Sequence, residues 1–310
     1  MRHEMKRLAA TMTTVEVVLD DVEFFGGSAT PLAGCLYAPA VSASTPLPAV
    51  VMCHGFGGTK EGTPPAMARA LATAGFRVLT WDYRGFGASA GPRGRLVPGE
   101  QVTDALHAVH YMASRSDVDD ANLSIYGSSF GGAVVSGLMA YDPPVRSVVL
   151  VVPVASGASL LMTANRRYEF QELARRARSA LQRNARAGEA TFVARDTILP
   201  QPPSSDASTA SDVELDLESV LHVVAFDPAS AVARSRTPTA ILAVADDELV
   251  PLSDVEALFE RLACAKELHV FDSGGHYALY NARLAEASAY VARWYGEHAH
   301  PASSERTEAR

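Results

Sequence analysis

The chain is poor in cysteine, in tryptophan and in positive charge. Its 310 residues hold three Cys and two Trp, and aromatic residues make up only 7%. Cys35, Cys53 and Cys264 are scattered, each in an apolar stretch, which fits buried thiols in a reducing, cytoplasmic setting better than a disulfide framework or a metal site. Lys and Arg number 27 against 35 acidic residues, a net charge of −8. The basic footprint that nucleic-acid binding needs is missing. No apolar run approaches the ~18 residues of a membrane span. Met1 to Thr14 carries Arg2, Lys6 and Arg7 with no apolar stretch behind them, so no secretory signal is expected. Nothing calls for a metal or an organic cofactor.

What the chain does have is a regular alternation of strand-like and helix-like segments. Thr14–Phe25 and Leu32–Ala38 read as an antiparallel ribbon turned at Gly26-Gly27 and Pro31. Pro48–Cys53, Phe76–Trp81, Leu123–Tyr126, Val148–Val152, Thr239–Ala245 and Leu268–Phe271 are short apolar runs, as expected of strands covered on both faces. Helices are expected over Gly62–Ala74, Gly99–Ser114, Phe130–Tyr141 and about Ala278–Glu297. This pattern implies an α/β fold: a doubly wound, mostly parallel sheet with the ribbon at its edge. The 84 residues between Pro153 and Pro238 break the alternation. They begin with a helical stretch whose apolar face is Phe170, Leu173, Ala174, Ala177 and Leu181. They pass through a Pro/Ser/Asp-rich loop (Pro200–Ser211) and return to helix near Asp212–Val224. The expected division is a core of residues 14–153 and 238–297, an inserted helical cap of 154–237, and flexible ends of 1–13 and 298–310.

Three post-strand segments carry chemistry. Gly127-Ser128-Ser129-Phe130-Gly131 fits G-x-S-x-G between a strand and a helix, the context that motif requires. The turn is tight, so its flanking positions must be small, and it presents Ser129 at the head of a helix as a nucleophile. The Phe130 N–H faces the same point and suits an oxyanion. His54-Gly55-Phe56-Gly57-Gly58 follows the strand PAVVMC and offers the Phe56 N–H as a second donor, or the Phe56 ring as an acyl-pocket wall. His54 is expected to shape this loop rather than to act on substrate. In the chain order Ser, acid, His, the acid follows TAILAVA and the base follows ELHVF. The base is His276, after Gly274-Gly275. Asp247 is the chosen acid, and adjacent Asp246 is the alternative, otherwise binding a turn. The segment Asp82-Tyr83-Arg84-Gly85-Phe86-Gly87 lacks the Lys-Ser/Thr of a phosphate loop. It reads first as a structural turn near the site, the alternative being that Tyr83 or Arg84 touches substrate; Tyr83 and Tyr277 are the candidate substrate contacts.

With these residues in view, the chain resembles the α/β-hydrolase superfamily over about Pro48 to Glu297. The likeness rests on HGFGG at 54–58, DYRGFGAS at 82–89, GSSFGG at 127–132, DELVP at 247–251 and GGH at 274–276. More loosely it looks like the dienelactone-hydrolase and polyketide-transferase-like branch. Dienelactone hydrolases use a Cys nucleophile where this chain has Ser129, so lactone specificity does not carry over. The resemblance implies ester or thioester chemistry on a small-molecule acyl substrate through an acyl-enzyme. Hydrolysis is the first expectation. Transfer to an alcohol or amine, C–C hydrolysis and peptide hydrolysis share the same nucleophile chemistry, whereas a non-catalytic binder would not need all three groups.

The insertion is unevenly charged. Residues 166–195 hold eight arginines (Arg166, Arg167, Arg175, Arg176, Arg178, Arg183, Arg186 and Arg195) against three glutamates, and residues 206–218 hold five acids and no base. Such a patch suits an acidic partner such as an acyl carrier protein, or an anionic acyl donor. The plainer alternative is a solvated helix face neutralised by the acidic stretch.

Overall fold

The computed structural model describes residues 15–40, 45–201 and 213–300. Ten strands and ten α-helices are found there. The strands are β1 (Val17–Phe25), β2 (Pro31–Pro39), β3 (Leu47–Cys53), β4 (Arg77–Trp81), β5 (Val118–Ser128), β6 (Val148–Val151), β7 (Phe192–Ala194), β8 (Glu214–Asp216), β9 (Thr239–Val244) and β10 (Lys266–Phe271). The helices are α1 (Pro64–Thr73), α2 (Pro98–Ala113), α3 (Phe130–Leu138), α4 (Gly157–Ala164), α5 (Arg167–Ala187), α6 (Arg195–Ile198), α7 (Ser219–Val224), α8 (Ala229–Val232), α9 (Leu252–Arg261) and α10 (Leu284–Glu297).

Eight strands form one sheet in the order β1-β2-β4-β3-β5-β6-β9-β10. β1 and β2 are antiparallel at one edge, and β3, β4, β5, β6, β9 and β10 run parallel. The near-continuous apolar strands are explained by burial on both faces. In β3, Ala49, Val51 and Cys53 join one core cluster, with residues of α2, α3 and α9. Val50 and Met52 join the other, with Met67 and Leu71 of α1 and Val291 and Trp294 of α10. The strand order reverses about β3, which lies between β4 and β5. A crevice therefore opens beyond the carboxyl ends of β3 and β5, where such sheets bind ligands.

The chain leaves the sheet after β6 and returns at β9. Its inserted residues Leu160, Leu161, Leu173, Ala177, Ile198, Leu215, Val220 and Val223 belong to the same apolar cluster as Phe130 and Ala133, so the insertion shares the core of the sheet.

Several expectations are corrected. Leu181 is exposed on α5, where Leu173, Ala177 and Ala180 form the buried stripe. The segment expected to be helical from Asp212 instead forms β8, paired antiparallel with β7, before α7 begins. Most of the Pro200–Ser211 loop lies outside the described residues. The last helix is interrupted: a 3-10 turn at Ala278–Tyr280 ends before α10 starts at Leu284. α9 was not expected, although Leu252, Val255, Leu258 and Leu262 carry a helical spacing. At the chain end, residues 1–13 and 301–310 lie outside the described residues. His298 and His300 are held: Arg146 Nε donates to the His298 carbonyl at 2.8 Å, and His300 N to Asn122 Oδ1 at 2.6 Å. Among the described residues no helix is long and apolar enough to cross a membrane.

Candidate active site

Ser129 stands between β5 and α3 with φ 52° and ψ −120°, a conformation that an L-residue adopts only under constraint. The constraint is visible. Its N–H donates to Val151 O at 2.9 Å, and its carbonyl accepts from Gly132 N at 2.9 Å and Val154 N at 3.0 Å. The glycines are required by close approach: a Cβ at Gly131 would lie 2.1 Å from Cys53 O, and one at Gly127 2.7 Å from Gly131 O. Phe130 is the first residue of α3, so its N–H has no acceptor within the helix.

The end of β10 delivers His276, the expected base, and the end of β9 delivers Asp247, the expected acid. His276 Nε2 lies 2.9 Å from Ser129 Oγ, and His276 Nδ1 lies 2.8 Å from Asp247 Oδ2. Both partners are buried, at 2% and 9% exposure. The other Asp247 oxygen accepts the Leu249 and Val250 N–H groups, each at 2.8 Å. Asp246 turns away and accepts from Gly274 N at 3.1 Å and Gly275 N at 2.9 Å. These N–H groups, Gly275 first, hold its carboxyl below the ordinary value.

The loop after β3 lies against the Ser129 turn. A Cβ at Gly55 would be 3.5 Å from Ser129 Cβ. The Phe56 ring packs edge-on against Phe130 at 5.5 Å, and Phe56 lines the cavity beside Ser129. His54 is buried, and its Nδ1 donates to Gly55 O at 3.1 Å. Burial lowers its pKa, so the ring is neutral near pH 7. Lys60 and Asp82 anchor the far end of the loop. Lys60 N donates to Asp82 Oδ1 at 2.7 Å, and Lys60 Nζ lies 3.3 Å from Oδ2.

A cavity of about 500 Å³ opens onto Ser129 and His276, walled also by Phe56, Thr59, Arg195, Leu199, Leu249 and Tyr277. Tyr277 stands in it as expected, its hydroxyl donating to Gln201 Oε1 at 2.8 Å. Tyr83 does not. It is 1% exposed, wedged between His54 and Trp81, with its hydroxyl 3.4 Å from His54 O, so it supports the loop from behind. Arg84 is likewise structural: its guanidinium binds buried Asp104 and the Gly27 carbonyl. Arg195, which the sequence shows only as one of the eight arginines of the insertion, lines the cavity, and so do Tyr280 and Leu249, which no sequence motif marks. The helix expected across Ala278 hid the turn that aims Tyr280. Among the described residues, no three His, Cys, Asp or Glu side chains gather closely enough to hold a metal.

A tight serine-bearing turn after a central parallel strand, with an Asp and a His delivered by two later strands, is the architecture of an α/β hydrolase. The family model for Hydrolase_4, described as serine aminopeptidase, S33, matches residues 44–282, and the chain belongs to that family of hydrolases. An uncharacterized 31.7 kDa protein of the traX-finO intergenic region of Escherichia coli is 27% identical over 260 residues, covering 81% of this chain and 91% of the relative. The polyketide transferase af380 of Aspergillus fumigatus is 26% identical over 290 residues, covering 86% and 94%. The crystal structure of the α/β hydrolase GrgF from Penicillium sp. superposes with a TM-score of 0.78 at 21% identity, covering 91% of this chain and 99% of that one.

Proposed function

We propose that this protein is a serine hydrolase that cleaves a carboxylic ester or thioester through an acyl-enzyme on Ser129. The observation that carries the reading is the unbroken chain Ser129 Oγ, His276 Nε2, His276 Nδ1, Asp247 Oδ2, with 2.9 and 2.8 Å contacts. As Ser129 Oγ attacks the acyl carbon, its proton passes to His276 Nε2. Asp247 keeps the Nδ1–H tautomer and stabilises the imidazolium. The carbonyl oxygen becomes an oxyanion facing the Phe130 and Phe56 N–H groups, a pair in which losing one donor costs ~3 kcal/mol. The C–O or C–S bond to the leaving group then breaks, and His276 returns its proton to that group. Water, deprotonated by His276, attacks the acyl-enzyme and releases the acid and Ser129.

A second reading keeps the acyl-enzyme and replaces water by an alcohol or amine. It is favoured by the relative named a polyketide transferase, aligned over 86% of this chain. The acyl donor is then carried by an acidic acyl carrier protein docked on α5, whose Arg167, Arg175, Arg178 and Arg186 are exposed.

A fluorophosphonate probe is expected to label the wild type and to leave Ser129→Ala unlabelled; a labelled Ala variant or an inert wild type overturns both readings. Thioester donors offered with and without alcohols separate the two, since hydrolysis yields free acid and transfer yields new ester.

A further inference from the structure

Arg195 is the odd member of the basic segment. Six of its companions, including Arg178 and Arg186, are exposed and Arg176 is half-buried, but Arg195 is 8% exposed and lines the cavity that holds Ser129. Its backbone is fixed first. Arg195 follows β7 directly, its N–H donates to Val213 O at 2.9 Å, and its carbonyl accepts from Leu199 N at 3.0 Å. The partner strand β8 is fastened to the turn after β4. Asp216 N donates to Gly94 O at 2.9 Å, and the two backbones run so close that a Cβ at Gly94 would lie 2.4 Å from Glu214 O. Leu96 N adds a bond to Ser219 Oγ at 3.0 Å.

From this anchorage the guanidinium reaches the loop after β3. Nε donates to the Phe56 carbonyl at 3.3 Å, and Cζ lies 5.9 Å from the centre of the Phe56 ring. Nη1 donates to Asp196 Oδ1 at 2.8 Å, which compensates the charge, and lies 3.5 Å from Leu199 O. Tyr277, the neighbour of His276, lines the same cavity. One buried cation thus holds the loop after β3 at the wall of the cavity that contains Ser129. Loop 54–58 contains three glycines and depends on external contacts to hold one shape. A charged donor makes a stronger grip on a carbonyl than a neutral one.

We propose that Arg195 is a positioning residue. By fixing the Phe56 carbonyl it sets the backbone of the loop whose Phe56 N–H receives the oxyanion, and it makes the inserted segment part of the catalytic apparatus. This rests on the proposed acyl-enzyme reading. Because Asp196 already satisfies its charge, Arg195 acts on the loop rather than as a receptor for a substrate anion.

The test compares wild type, Arg195→Met and Arg195→Lys on a neutral p-nitrophenyl ester and on one bearing a free carboxylate. Misplacing an oxyanion donor lowers kcat by ~10- to 100-fold in the Met variant on both esters, with KM little changed. Fluorophosphonate labelling of Ser129 slows in parallel, and added guanidinium ion restores part of the rate. The Lys variant, with a charge but no fork, is intermediate. An unchanged kcat overturns the proposal. So does a KM rise confined to the carboxylate ester, which would make Arg195 an anion receptor. A fall in kcat matched by loss of thermal stability and without guanidinium rescue makes the role merely structural, and also overturns it. If the Met variant does not fold, Arg195→Gln is scored by the same criteria. Absence of labelling in the wild type would instead refute the acyl-enzyme reading itself.

Discussion

Asp246 and Asp247 are adjacent in sequence and serve opposite ends of one loop. Asp247 Oδ2 meets the His276 ring at 2.8 Å, while Asp246 accepts the Gly274 and Gly275 N–H groups that lead into His276. One carboxylate orients the imidazole and its neighbour shapes the backbone that presents it. Asp247→Asn is expected to lower kcat by roughly 10³- to 10⁴-fold, because the amide favours the wrong imidazole tautomer. Asp246→Asn leaves the imidazole its partner and is expected to cost only about 10-fold. Steady-state ester hydrolysis separates the two, and equal losses would refute this division of labour.

Acid should erase the Asp246 contribution. The Gly275 and Gly274 N–H groups hold its carboxyl below the ordinary value of 3.8. A carboxyl depressed in the folded state adds stability that is complete above its unfolded value and is lost as pH falls through the folded one. Wild type is therefore expected to exceed Asp246→Asn in Tm at neutral pH, with the gap closing below about pH 4. A gap independent of pH would contradict this.

The Ser129 turn and helix α2 make opposite demands on glycine. A Cβ at Gly131 would lie 2.1 Å from Cys53 O, backbone that cannot swing aside. Gly131→Ala is expected to destabilise by roughly 2–4 kcal/mol. At Gly99, in the first turn of α2, a Cβ meets nothing within 4 Å. Gly99→Ala is expected to stabilise by ~0.5 kcal/mol. Denaturant midpoints measure both, and a tolerated Gly131→Ala would remove the steric account of the turn.

Cys53 sits next to the loop after β3 but is no reserve nucleophile. Burial pushes its thiol up to about 12, leaving almost no thiolate at neutral pH. Iodoacetamide at pH 8 is expected to modify half-buried Cys264 before Cys53 and to leave ester hydrolysis intact. Peptide mass mapping checks the order, and inactivation tracking with Cys53 would refute it.

The exposed arginines of α5 offer a salt-sensitive test of the carrier-protein reading. Charge reversal at Arg178 and Arg186 is expected to slow transfer from an acidic carrier-bound thioester at least ~10-fold at low salt, with free small-molecule thioesters unaffected. Equal behaviour of the two donors would leave α5 a plain solvated face.

The sheet was legible in the sequence because each covered strand leaves a short apolar run. Ser129 was legible because the sterics of its turn dictate glycines at fixed positions. The choice between Asp246 and Asp247 turned on which carboxylate the turn after β9 points inward, and Asp247 is the one at His276. Tyr83 misled because its place after β4 says nothing of its side-chain direction, which is into the protein behind His54. Arg195 was hidden among arginines, since composition does not separate one inward side chain from seven others. The β7–β8 ribbon was too short, at three residues a strand, to leave any period.

The wide spacing of the site along the chain has a consequence in time. Ser129 and His276 are 147 residues apart, and the acid and base follow β9 and β10, the last strands of the sheet. At ~5–20 residues per second of synthesis, a nascent chain carries Ser129 for roughly 7 to 30 s before its base exists. Under the proposed acyl-enzyme mechanism, the emerging polypeptide would have no means of activating its serine over that interval, and acylation would wait until the final strand has joined the sheet.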